Sequence, residues 1–320
     1  MKKAKALDEN TLGGRMKHHE HRFRTVLPSK SNFILRIDGK AFHTYTKGLQ
    51  KPFDDGLMED MVETTKYLCE KIQGAKLGYT QSDEISILFT DYDTAKTSLW
   101  FDGQIQKIVS VAASLATSKF NQLRTKRWLW KEMPAYGPDA SRDEYDELLN
   151  ERLAEFDARV FVIEESPEEV VNYFIWRQRD AIKNSVSALA QANFSHKALH
   201  GMNGTQMQDM LLEKGIDWND LGIPKQRGWC TVKKTELWVK PKDGKLFEPH
   251  KVPTVPYVLE SDEVILDSHA ALASITVKAK WQELQCTDDF YERSKWVIDD
   301  NIPVFADLRD YVLMRLPESN

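Results

Sequence analysis

The feature that most constrains the fold is a dense apolar run, Phe33-Ile34-Leu35-Arg36-Ile37, ending on Asp38-Gly39. Side chains this apolar on both faces of a strand belong to a central strand covered from two sides, not to a sheet edge. Pro52-Phe53-Asp54-Asp55-Gly56 then marks a turn, after which Leu57, Met61, Leu68 and Ile72 recur at helical spacing. Gly74 and Gly78 bracket a short strand over residues 75–80. Gln81-Ser82-Asp83-Glu84 is a polar turn, and residues 85–89 alternate as a second strand. A helix is predicted over 103–120, with Ile105, Ile108, Ala112, Leu115 and Ala116 as its apolar stripe. Residues 121–157 are polar and aromatic, with Pro134, Gly137 and Pro138 as helix breakers, and read as an insertion, or a loop and short helix. Residues 158–164 form a further strand, and Ser166-Pro167-Glu168-Glu169 opens a long helix to about residue 192. Strand, helix, strand–turn–strand, helix, strand, helix predicts an α+β domain, a ferredoxin-type antiparallel sheet with helices on one face.

Three regions follow: a basic arm over 1–30, a catalytic domain over 31–240 and an extension over 241–320. The arm holds eight Lys/Arg against three Asp/Glu, and its cluster Arg15-Met16-Lys17-His18-His19-Glu20-His21-Arg22 suits phosphate, a solvated arm or a short helix. Residues 203–214 suggest a shorter helix, and 229–239 and 256–259 are strand-like. Beyond residue 260 only short apolar stretches stand out, at 264–266 and 274–277. A net charge of -5 disfavours binding nucleic acid through bulk charge, but leaves room for a local basic surface. Cys69, Cys230 and Cys286 form neither a CxxC pair nor a disulfide framework, as in a reducing compartment. With no signal-peptide core and no run of membrane-spanning length, the expectation is a cytoplasmic protein without membrane contact.

Asp38 stands where a buried strand ends, and Asp83-Glu84 stands in a turn between two more strands. If those strands are neighbours, three carboxylates meet at one edge, where they repel one another unless a cation compensates them. An oxygen-rich, histidine-free ligand set favours Mg²⁺, completed by waters and substrate phosphates. A purely structural role is the alternative: an Asp at a strand end or in a turn is usually a cap or a solvated turn residue. Gly39-Lys40-Ala41-Phe42-His43 offers backbone N–H groups to a triphosphate, although it is not a P-loop. His43 either contacts phosphate or packs beside Phe42, and Lys51 is a phosphate contact or a solvated lysine. Arg177, Asp180 and Asn184 recur at i, i+3 and i+7, as a salt-bridged support or an RNA-facing surface. Lys107 and Lys119 have the same ambiguity.

Four ordered motifs resemble those of tRNA-His guanylyltransferases: Arg36-Ile37-Asp38-Gly39-Lys40-Ala41-Phe42-His43; Lys51-Pro52-Phe53-Asp54; Tyr79-Thr80-Gln81-Ser82-Asp83-Glu84-Ile85-Ser86; and Trp176-Arg177-Gln178-Arg179-Asp180-Ala181 with Asn184-Ser185. Residues 172–185 followed by Phe194-Ser195-His196-Lys197 look more like the bacterial and archaeal guanylyltransferase-like proteins than the eukaryotic enzymes. The resemblance covers about residues 12–240.

It implies a palm-like core that adds nucleotides to the 5′ end of tRNA in the 3′-to-5′ direction. Asp38, Asp83 and Glu84 would be catalytic and, with Gly39, would hold two Mg²⁺ ions. Asp38, Gly39, Lys40, Ala41, Phe42, His43, Lys51, Ser82 and Asp83 would bind GTP, ATP and other nucleoside triphosphates. Arg15, Lys17, Lys107, Arg177, Lys183 and Asn184 would contact RNA, and the partners implied are tRNA and a second copy in a homodimer or homotetramer. Two departures favour template-directed repair of 5′-truncated tRNAs over strict tRNA-His guanylylation. Asp102-Gly103-Gln104 replaces a eukaryotic arginine pair ahead of Lys107, and Ile182-Lys183-Asn184-Ser185 replaces His-Ile-Asn-Asn. The same acids would also suit a palm-fold nucleotidyl cyclase, and the same fold a non-catalytic tRNA-binding protein.

Overall fold

The computed structural model describes residues 10–94, 96–136, 153–163, 166–239 and 290–317. In chain order its main elements are α1 (Leu12–His21), β1 (Asn32–Gly39), α2 (Phe42–Tyr45), α3 (Asp55–Lys71), β2 (Ala75–Gln81), β3 (Glu84–Thr90), α4 (Ile105–Tyr136) and β4 (Phe156–Ile163). They continue as α5 (Pro167–Asn193), α6 (His196–Leu199), α7 (Gly204–Glu213), α8 (Ile223–Arg227), β5 (Trp229–Val239), β6 (Phe290–Asp299) and α9 (Asp310–Leu313).

β1 is central, as its composition requires. It pairs antiparallel with β3 on one side and β4 on the other, and the strand order is β4-β1-β3-β2-β5-β6. Phe33, Ile34, Leu35 and Ile37 are all fully buried, and each such side chain contributes roughly 1.5–3 kcal/mol of hydrophobic stabilisation. The first four strands with α3 and α4 form the expected ferredoxin-type unit. Gly78 shows which face these helices cover, because a Cβ there would press on the Cys69 sulfur and the Thr65 methyl of α3. α5 lies on the opposite face: Tyr79, the next residue along β2, meets Phe174 edge-on at 6.4 Å, and Ser86 bonds Tyr173 at 2.7 Å. Helices therefore cover both faces, α5 being added to the two-helix unit.

The local chemistry explains the element ends. Asp54 caps α3 by accepting from the Leu57 amide at 2.7 Å, a contact usually worth about 1 kcal/mol. Buried Asp60 then accepts from Arg124 at 3.3 Å and from Arg127 at 2.9 Å, tying α3 to α4. α4 runs on to Tyr136, so the first part of the expected insertion is helical. The arm forms the short helix α1, whose N-cap is Thr11.

Two compact units are present, one of Met1–Val232 with Ile298–Asn320 and the other of Lys233–Val297. The end of the chain, Ile298–Asn320, thus belongs with the first unit. Within that unit Ile302, Phe305 and Val312 are fully buried. The Gln178 amide donates to the Pro303 carbonyl at 2.9 Å and accepts from the Phe305 amide at 2.8 Å. Arg227 Nε adds a 3.0 Å bond to the Ile302 carbonyl. In the second unit the Thr235 and Ser294 hydroxyls meet at 3.1 Å between β5 and β6. The strand expected at 256–259 and the apolar stretches at 264–266 and 274–277 lie outside the described residues.

Candidate active site

The β1–β3 register sets Asp38 opposite Glu84, and side chains directly opposed in an antiparallel pair project from the same face. The Gly39 amide donates to the Asp83 carbonyl at 3.1 Å, which holds the β2–β3 turn against the end of β1. The turn is tight, with Ser82 in the left-handed region at φ 50° and its hydroxyl donating to Asp83 Oδ1 at 2.9 Å. Asp38, Asp83 and Glu84 are thus brought to one end of the paired strands β1 and β3.

Burial pushes the Asp83 carboxyl above its ordinary value, the Ser82 hydroxyl opposes this, and the charge of Asp38 adds to it. Burial likewise raises Glu84, against the pull of Arg177 and Arg36 and with a further push from Asp38. A carboxyl raised in this way keeps a proton that the unfolded chain has already released. Stability accordingly falls as pH rises from the ordinary carboxylate range through the elevated value, and the full penalty stands above it. Asp83→Asn is expected to stabilise the EDTA-treated protein at pH 7 but not at pH 4, as read by urea unfolding. An equal change at both pH values would contradict this account.

The loop after β1 is anchored by Phe42, buried against Tyr45, Phe120 and Phe156 with ring centroids 4.9, 5.8 and 5.1 Å away. Gly39 lies directly against that ring, where a Cβ would overlap its atoms. Gly39→Ala is expected to cost about 1–3 kcal/mol by overpacking. Thermal unfolding reads that cost. Ala41 adopts φ 54° and opens α2. His43 is exposed and bonded to the Thr44 hydroxyl at 3.0 Å, so it points away from the aromatic cluster. Lys40 is exposed, and its ammonium pairs with Glu155 at 2.5 Å. Water and salt screen a surface pair of this kind, so a phosphate can compete for the lysine. Lys51 is exposed beside Pro52.

On α5, Arg177 Nη1 donates to Glu84 Oε2 at 2.9 Å and lies 3.7 Å from Asp180, which accepts from Asn184 at 3.4 Å. The polar stripe is therefore the salt-bridged support. Arg177 is buried, which corrects its expected role as a surface contact for RNA. Lys183 and Asn184 remain exposed. Arg15 and Lys17 are exposed on α1. Lys107 lies near the start of α4, its ammonium 4.8 Å from the Phe101 ring centre. Since Gln104 bridges Val26 ahead of β1, Lys107 stands toward the opposite end of the sheet from Asp38.

Sequence reasoning missed Arg36 and Tyr173. Arg36 shares the face of Asp38, two residues earlier on β1, a placement that strand period alone could have flagged. Tyr173 reaches the site only because α5 crosses this face of the sheet. Among the described residues, no three His, Cys, Asp or Glu side chains come close enough to enclose an ion. The acids converge without forming a closed cage. This is compatible in donor chemistry with a cation held by one or two carboxylates and completed by substrate phosphates.

The sequence model of a family described as tRNAHis guanylyltransferase matches residues 13–164, which include all three acids. A bacterial tRNA(His) guanylyltransferase (Thg1)-like protein, solved in complex with ATP, is 38% identical and has a TM-score of 0.67. The match covers 97% of this chain and 100% of that one. The chain belongs to the tRNA(His) guanylyltransferase (Thg1)-like family. A bacterial family member solved with GTP matches at 37% identity and TM-score 0.63, over 95% of this chain and 98% of that one. The tRNA(His) guanylyltransferase of Debaryomyces hansenii is 29% identical, over 83% of this chain and 91% of its own length. This family fold is the palm-like α+β sheet described above. No helix among the described residues is long and apolar enough to cross a membrane.

Proposed function

We propose that this family member is a Mg²⁺-dependent 3′-to-5′ nucleotidyltransferase that adds nucleotides to the 5′ end of tRNA, mainly in template-directed repair of 5′-truncated tRNAs. The observation that carries the reading is the convergence of Asp38, Asp83 and Glu84 beside the loop of residues 39–43. Relatives spanning nearly the whole chain were solved with ATP and with GTP, which supports nucleoside triphosphates as substrates.

In this mechanism the tRNA 5′-monophosphate is first activated with a nucleoside triphosphate. That activation joins the 5′-phosphate to the α-phosphorus of ATP and releases pyrophosphate. The 3′-hydroxyl of the incoming nucleotide then gives up its proton and attacks the tRNA 5′-phosphorus, forming a P–O bond and expelling AMP. Backbone N–H groups of Ala41, Phe42 and His43 and the Ser82 hydroxyl cradle the triphosphate, while Lys40 and Lys51 act as point charges on it. Asp38 and Asp83, with the Gly39 carbonyl and Glu84, are the residues that would hold Mg²⁺. When bound, the metal supplies charge neutralisation at the transferring and leaving oxygens. Arg15, Lys17, Lys107, Lys183 and Asn184 are the candidate RNA contacts. A homodimer or homotetramer in the cytoplasm would bring several such basic surfaces together around one tRNA.

Templated repair is favoured over strict tRNA-His guanylylation because the segment carrying the eukaryotic arginine pair is Asp102-Gly103-Gln104 here. Its backbone is also unusual, with Phe101 and Asp102 at φ 51° and Gly103 at φ 74°. The test supplies Mg²⁺, labelled nucleotides and tRNAs that are full-length or lack their first nucleotide. The truncated tRNA should acquire the nucleotide complementary to its 3′-side partner, and changing that partner should change the nucleotide added. Addition of G regardless of the opposing base would favour tRNA-His guanylylation. Cyclic product formed without RNA would indicate a cyclase, and tRNA retention without incorporation a binding protein.

A further inference from the structure

Glu84 is approached at both carboxylate oxygens by groups that α5 controls. Arg177 Nη1 donates to Oε2 at 2.9 Å. Ser86 Oγ lies 3.5 Å from Oε1 and shares a 2.7 Å hydrogen bond with the Tyr173 hydroxyl. Tyr173 and Arg177 stand four residues apart, so they share one face of the helix, and both are buried. Arg177 is itself held in place: its guanidinium carbon lies 3.4 Å from the Trp176 ring centre, and Asp180 flanks it at 3.7 Å. Its Nε is buried without a hydrogen-bond partner.

A buried ion pair adds little net stability over an apolar pair of the same shape, so stability alone does not account for this arrangement. It does fix the plane of a carboxylate that would otherwise turn freely about its terminal bond. A carboxylate with one contact on each oxygen still has a lone pair on each for another ligand. Glu84 stands directly across from Asp38, so its orientation bears on whatever the acids bind.

We infer that Arg177, assisted by Tyr173 through Ser86, is a positioning residue that sets the orientation of the Glu84 carboxylate for nucleotide transfer. The inference rests on the nucleotidyltransferase reading above. It assigns Arg177 to the protein's own carboxylate, with its effect on the reaction passing through Glu84.

The test compares full-length wild type with Arg177→Gln and Tyr173→Phe, their folding verified by circular dichroism. One readout is kcat and KM for nucleotide on 5′-truncated tRNA. The other is Mn²⁺ binding to the protein alone, followed by electron paramagnetic resonance. Loss of a partner that orients a metal-binding side chain typically reduces metal affinity or activity about 10–100-fold. Arg177→Gln should lower kcat and Mn²⁺ affinity within that range and leave the KM within about twofold, as expected when ground-state binding is untouched. Tyr173→Phe should move both quantities the same way by a smaller factor. It carries the test alone if Arg177→Gln does not fold, because it removes only one hydroxyl. Unchanged kcat and Mn²⁺ affinity in the folded variants would overturn the inference. So would a raised KM at constant kcat, which would mark Arg177 as a direct substrate contact. If wild type extends no tRNA at all, the functional reading fails, while the Mn²⁺ series still decides whether Arg177 orients Glu84.

Discussion

Asp38→Asn is expected to abolish 5′-end addition, lowering kcat by about 10³-fold or more, on the scale of losing a principal charge-stabilising group in phosphoryl transfer. The substitution keeps the shape of the side chain and removes one charge. Asp38 is only partly buried, and its charge raises the carboxyls of both Asp83 and Glu84. Its removal relieves that minor repulsion and gives up an attraction to Arg159, so stability should stay close to wild type. Activity would then be lost while the fold is kept, a signature that general damage to the fold cannot mimic. Labelled-nucleotide incorporation into truncated tRNA reads the first quantity, and thermal unfolding in EDTA reads the second. Retention of activity within about tenfold of wild type would remove Asp38 from the chemistry.

The largest stability effect is expected at the other end of the chain. Phe305→Ala should destabilise the protein by about 3–5 kcal/mol, the usual consequence of truncating a buried phenylalanine and leaving a cavity. Phe305 is fully buried, stacked on Tyr311 at 5.6 Å and edge-on to Tyr79 at 5.7 Å and Phe174 at 6.4 Å. Its amide is also tied to Gln178, the neighbour of Arg177 on α5. Urea unfolding measures the loss, and a change below about 1 kcal/mol would show that the C-terminal segment is not part of this core. Nucleotide transfer should weaken in parallel, since α5 carries Arg177 across from Glu84.

Much of this arrangement was legible in the residues. β1, β2, β3 and β4 lie within two residues of their expected positions, because apolar runs and flanking glycines are local signals. The acid trio was legible as a possibility, and its convergence waited on the β1–β3 register. The polar stripe on α5 had two readings that its spacing could not separate. Arg177 points at a carboxylate, not at solvent, because α5 lies on the face of the sheet that Glu84 shares. At the C-terminal end the composition concealed the residues that enter the core. From residue 251 there are 13 Asp/Glu against seven Lys/Arg, and that surplus hid the few apolar anchors, Ile302, Phe305 and Val312, that enter the core.

By itself, then, the sequence determined the succession of elements, the central place of β1 and the motifs that mark the family. These depend on periodicity, turn residues and caps, all set by neighbours within a few positions. Tertiary structure alone decided that Asp38 faces Glu84, that Arg177 bonds that glutamate while Tyr173 bonds the neighbouring Ser86, and that Phe305 closes the core beneath α5. Each of these joins residues distant along the chain, such as Arg177 and Glu84, 93 positions apart, or Gln178 and Phe305, 127 apart. Contacts of that kind follow from strand register and from which face of the sheet a helix covers, and no local pattern of residues specifies either.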